Sequence, residues 1–71
     1  MRGIVLVTID EALENAIKQA VTTIGGEFVH LQGVYNGLII INADTPDEIH
    51  QMIPKIKNIA GIITTTTLLE Q

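Results

Sequence analysis

The sequence predicts an α+β domain in which a four-stranded antiparallel sheet carries two helices on one face. Three observations predict it. Short runs rich in Ile, Val, Leu and Thr alternate with stretches that repeat an apolar residue every three to four positions, in the order strand, helix, strand, strand, helix, strand. Each helical stretch begins with a capping residue and ends at glycine. The second and third strand-like runs are separated only by Asn36-Gly37, a short-range hairpin signal.

GIVLVTI (residues 3–9) is too short for a helix and apolar at both alternating sets of positions, which suits a central strand. Asp10 can cap the next element, in which Leu13, Ala16, Ile17, Ala20, Val21 and Ile24 form the stripe of a helix lying on a sheet; Gly25-Gly26 stops it. EFVHLQGVY (27–35) and LIIIN (38–42) are expected to pair through a type I′ turn at Asn36-Gly37, because both central residues of that turn need positive φ. Thr45-Pro46-Asp47-Glu48 then reads as a capping box: a threonine cap, proline at the first helical position, and glutamate three residues after the cap.

The stripe that follows, Ile49, Met52, Ile53, Ile56 and Ile59 or Ala60, contains Pro54. Proline removes an amide donor and crowds the carbonyl one turn back, near His50, at about 3 kcal/mol, so a kink or two short helical pieces are expected. Gly61 ends the element, and IITTTTLL (62–69) is the last strand.

This order is the split βαβ, or ferredoxin-like, βαββαβ arrangement, here as a single domain over residues 1–71. Right-handed crossovers place both helices on one face and leave the other bare. In GIVLVTI and LIIIN neither alternating set is polar, so the helices cover only one of them. Burying a Val or Ile is worth roughly 1.5 to 3 kcal/mol, and several exposed together make a patch that monomers seldom carry. A homo-oligomer is therefore expected, built on a dimer joined through the open sheet face, an assembly of the dimeric α/β-barrel kind.

Size points the same way. A chain of 71 residues buries only roughly 60% of its unfolded surface, and folds of this length usually need a supplement. With no cysteine and two isolated histidines, disulfides and metals are poorly supplied. Net charge is −4, and the four bases, Arg2, Lys18, Lys55 and Lys57, form no stripe, so direct nucleic-acid binding is not expected. No apolar run approaches the roughly 18 to 20 residues that span a bilayer, and the amino terminus lacks a signal-peptide layout; no membrane association and a cytoplasmic location are expected.

Candidate chemistry is sparse. In the last strand Thr65 and Thr67 point one way and Thr64 and Thr66 the other; one pair is either solvated or the hydroxyl wall of a polar pocket at a subunit contact. Asp44, Asp47, Glu48 and His50 suit a helix start, where acids complement the dipole, better than a metal site. His30 and His50 have no nucleophile or paired carboxylate at a recognisable spacing, and both are expected to face solvent. Gly25-Gly26 follows a helix, whereas a phosphate cradle precedes one. No catalysis, cofactor or metal is expected.

Two stretches carry a resemblance. GVYNGLIIINAD and KIKNIAGIITTTTLL resemble the stand-alone ligand-binding domain of Lrp/AsnC transcription regulators, in which a Gly-x-Tyr-Asp motif leads into the third strand and a Lys-Ile-basic-x-Ile-Pro-Gly-Val pattern into a last strand with Thr-x-Thr. Gly33, Tyr35 and Asn36 match the first motif; Lys55, Ile56, Lys57, Ile59, Gly61, Thr65 and Thr67 match the second. The resemblance implies an amino-acid effector held near Gly33, Tyr35, Asn36, Thr65 and Thr67, a dimer through the sheets and rings of dimers. Lacking a helix-turn-helix of its own, such a chain would act by sensing or by mixing with a full-length regulator paralogue. The sequence departs from the family in having Asn36 for aspartate, a shorter second strand, and a turn signal where the family continues a strand. As the alternative, the length, the hairpin signal and GGEFVH followed by GLIII also resemble NapD-type chaperones, which implies docking of a twin-arginine signal peptide on the sheet.

Overall fold

The computed structural model describes the backbone of residues 2–70 and the side chains of residues 2–68. The elements are β1 (Arg2–Ile9), a short 3-10 turn (Glu11–Leu13), α1 (Glu14–Thr23), β2 (Gly26–His30), β3 (Gly37–Asn42), α2 (Pro46–Lys57) and β4 (Ile62–Glu70). One antiparallel sheet has the order β2-β3-β1-β4. This is the ferredoxin-like βαββαβ fold that the order of elements predicts.

Alternation along the strands decides what is buried. Val5, Val7 and Ile9 of β1 and Ile39 and Ile41 of β3 point toward the helices and meet Ile17 and Val21 of α1 and Ile49 and Ile56 of α2, all with almost no exposed surface. Each such side chain stabilises the fold by roughly 1.5 to 3 kcal/mol. Phe28, Ile24, Met52, Ile53, Ile59 and Ile62 close the margins of this core, α1 lies against β2, and α2 lies against β4. Ala16, at the border of the predicted stripe, is exposed.

The caps behave as their residue types require, with one change. Asp10 accepts from the Ala12 amide and Thr45 from the Glu48 amide, each relieving an orphan donor of a first turn. Glu48, however, reaches back to the Asp44 amide, one residue before the cap. α2 is one element from Pro46 to Lys57, so of the two outcomes expected at Pro54, a kink or two short pieces, the division does not occur. Pro54 lies in the last turns on the exposed side, so the amide it lacks leaves only the His50 carbonyl without its helical partner, at an exposed residue.

The expected tight turn at Asn36-Gly37 is not formed. β2 stops at His30, Gly37 already belongs to β3, and residues 31–36 make a longer connection. No non-glycine residue among those described has positive φ, so Asn36 is not in the left-handed conformation a type I′ turn demands. The antiparallel pairing of β2 with β3 survives, from Gly26 opposite Ile41 to His30 opposite Gly37. What displaces the turn is a long-range contact made by Asn36.

Candidate functional site

Asn36 acts as a clamp. Its Oδ1 accepts from the Ile9 amide at 2.8 Å, its Nδ2 donates to the Ile9 carbonyl at 3.0 Å, and its own amide donates to the Val7 carbonyl at 3.2 Å. A primary amide offers one acceptor and a donor side by side, the same pair that a neighbouring strand presents, so the side chain extends the β1–β3 ladder beyond Gly37. The Leu31 amide donates to the Asn36 carbonyl and closes the base of the loop. Within the loop Gly33 has φ +137°, which L side chains rarely adopt, and Val34 stands 89% exposed beside it.

The clamp sets the position of Tyr35, whose hydroxyl lies 3.1 Å from Oγ1 of Thr66 on β4, across β1. Gly37, next in the chain, is where the core approaches most closely: a Cβ there would lie 2.8 Å from the Phe28 ring and 2.8 Å from Val7. Tyr35 thus leaves the sheet toward the side opposite the helices while Gly37 admits Phe28 beneath.

The open face has a legible order from the strand register. One row across the sheet runs Glu27, Ile40, Ile4, Leu68; the next runs Val29, Leu38, Leu6, Thr66; the third pairs Thr8 with Thr64. Ile4, Leu6, Leu38 and Ile40 are half-buried by their neighbours, and Val29 and Leu68 are 39% and 51% exposed. The middle of the face is therefore apolar, with Glu27 at its β2 edge, and beyond the first row lies Arg2 opposite Asn42. At the other end Thr8, Thr64, Thr66 and Tyr35 bring hydroxyls together, and no charged side chain belongs to the second or third row.

The threonines opposite Val7 and Val5 are Thr65 and Thr67, so the pair matched by Thr-x-Thr lies on the helix side and is half-buried. Thr64 and Thr66 face the open side and are exposed. The structure brings Gly33, Tyr35 and Asn36 together in one loop and sets Thr66, rather than Thr65 or Thr67, against Tyr35. Sequence reasoning left open which threonine pair forms the wall, took Thr65 and Thr67 from the resemblance, and passed over Thr8. Alternation separates the two threonine pairs, but only the β1–β4 register, with its irregularity between Thr8 and Ile9, decides which pair faces out.

Other groups are accounted for by ordinary contacts. His30 Nδ1 lies 2.6 Å from Glu14 Oε1, a carboxylate partner on α1 that spacing could not reveal, and His50 is exposed on α2. A shallow cavity of about 370 Å³ is lined by Asn42, Ala43, Asp44 and Glu48, with Glu48 engaged by the Asp44 amide. Among the described residues no group of three His, Cys, Asp or Glu could hold a metal ion, and no helix is long and apolar enough to cross a membrane. Among them, too, no buried side-chain nitrogen or oxygen lacks a partner.

Solved structures share this architecture. TTHA0845 from Thermus thermophilus superposes with a TM-score of 0.85 at 19% identity, covering 99% of this chain and 91% of that one. FFRP-DM1 superposes with a TM-score of 0.87 at 19% identity, covering 99% and 97%. A hypothetical protein, PHS023 from Pyrococcus horikoshii, superposes with a TM-score of 0.82 at 21% identity, covering 97% and 90%. The likeness supports the four-stranded α+β, ferredoxin-like fold. At these identities it carries the fold alone. No family model and no curated protein matches the sequence.

Proposed function

We infer that this chain is an oligomeric sensing domain of Lrp/AsnC type, which docks a second copy on its open sheet face and binds a small amino acid where the Gly33–Asn36 loop meets β4. It is not an enzyme on this reading. The observation that carries it is the division of the open face: an apolar middle suited to a second copy, and an uncharged hydroxyl end held in place by the clamp at Asn36.

Within the site the residues take different parts. Tyr35 supplies a hydroxyl that can donate and accept, Gly33 gives the loop its bend, and Asn36 holds the loop against β1. On β4 it is Thr66 that supplies the open-side hydroxyl beside Tyr35, while Thr65 and Thr67 lie on the helix side, away from it. Thr64 and Thr66 are exposed and Tyr35 is half-buried, so a second copy completes the enclosure. The regulatory role would follow from sensing alone or from mixed assembly with a full-length regulator.

Thermal shift against the twenty amino acids tests the reading. A ligand at a hundred times its dissociation constant stabilises by about 2.7 kcal/mol. One or a few amino acids should raise Tm, and Tyr35→Phe should keep the fold while reducing that response. No shift with any of the twenty, together with tight binding of a twin-arginine peptide, would favour the chaperone reading instead.

A further inference from the structure

The two edges of the sheet are built differently. β2 is a short strand with Glu27 and His30 on it, and charge and brevity are common ways of keeping an edge from pairing. β4, at the other edge, spans Ile62–Glu70 with the sequence IITTTTLLE. It has no proline, no lysine and no charge before Glu70, and its register irregularity lies at its first residues, leaving the rest of the strand regularly paired with β1.

Which backbone groups it offers can be worked out. Asn36 engages the Ile9 amide and carbonyl and the Val7 carbonyl, so in β1 these odd-numbered residues turn their hydrogen-bonding groups toward β3. Successive residues of a strand face opposite sides, so Thr8, Leu6 and Ile4 turn theirs toward β4 and meet Thr64, Thr66 and Leu68. Thr65, Thr67 and Leu69 therefore point their amides and carbonyls outward, where the sheet has no further strand among the described residues.

We propose that this edge pairs with the same edge of a second copy, β4 against β4 antiparallel, making one continuous sheet across two chains. The occupant is a second copy because each chain carries the same unpaired edge, so one contact satisfies two. The chain is also acidic overall, at −4, and two copies meet with least repulsion along a strand whose centre is uncharged. Thr66 is the midpoint of Ile62–Glu70, so full overlap puts Thr66 on the two-fold axis and Thr65 opposite Thr67 of the second copy, the pairs whose backbone groups face outward. Threonine opposite threonine is a favourable cross-strand pair. This contact is separate from the open face.

The test is amide hydrogen exchange with light scattering, on the wild type and on Leu38→Lys, which charges the open face without touching β4. Edge pairing predicts that the Thr65, Thr67 and Leu69 amides are slowed at least about tenfold relative to unpaired amides in both proteins, and that Leu38→Lys retains a two-subunit mass. Thr67→Pro in the Leu38→Lys background removes an outward donor without costing a bond to β1, and should give a monomer with unchanged circular dichroism. Fast exchange of those three amides in the wild type, whatever the proline variant does, would overturn the edge contact while leaving the open-face dimer and its ligand response standing. Loss of amino-acid response with the edge amides still protected would do the reverse.

Discussion

Replacing Asn36 by alanine removes a side chain that makes two part-buried hydrogen bonds to one residue, at 2.8 and 3.0 Å. Each such bond contributes about 1 kcal/mol net, and Ile9, only 3% exposed, has little water at hand to take over its freed amide and carbonyl. The expected loss is about 2 to 3 kcal/mol, or about 10 to 20 °C in Tm for a domain of this size. Asn36→Asp separates the two bonds: the carboxylate still accepts from the Ile9 amide but meets the Ile9 carbonyl with an acceptor, so about 1 to 2 kcal/mol should go. Urea unfolding followed by circular dichroism, at one fixed subunit concentration because assembly contributes to stability, measures both. If both variants stay within about 0.5 kcal/mol of the wild type, the amide is not extending the ladder and the position assigned to Tyr35 loses its physical basis.

Two further changes probe the same framework. Gly37→Ala should cost about 1 to 3 kcal/mol in the same unfolding experiment, since its Cβ would press on the Phe28 ring and on Val7, and an unchanged midpoint would mean that the ring gives way freely. Thr45→Ala removes the oxygen that accepts from the Glu48 amide and should lower stability by about 1 kcal/mol; a loss below a few tenths would show that the Glu48 contact to Asp44 holds the helix start without it.

The order of elements was legible because it depends on local patterns: the stripe that includes Ile17 and Val21, the alternation of Val5, Val7 and Ile9, and the caps at Asp10 and Thr45 all act within a few residues. Two of the failures share a cause. Asn36-Gly37 carries the local signature of a turn, but the carboxamide finds a better partner at Ile9, 27 residues away, and that contact outweighs the turn preference. Glu14 meets His30 across 16 residues, again beyond the reach of any motif. Pro54 is a different case, local rather than long-range: α2 stays one element because the proline comes so near its end that only one exposed carbonyl is affected. For the candidate site, the loop residues could be named in advance, whereas the threonine that touches Tyr35 could not, since a single irregularity beside Ile9 sets which threonines look outward.

Four identical residues in the middle of β4 have a consequence for how that strand finds its place. Sliding it by one position along β1 would exchange one threonine for another at most central sites, so these positions contribute little to discriminating the correct alignment from its neighbours. Discrimination falls to the flanks, where Ile62 must reach the core margin and Leu68 must return to the apolar row beside Ile4. A polar residue at either flank would leave the strand free to shuttle between alignments, and misaligned chains rather than unfolded ones would accumulate.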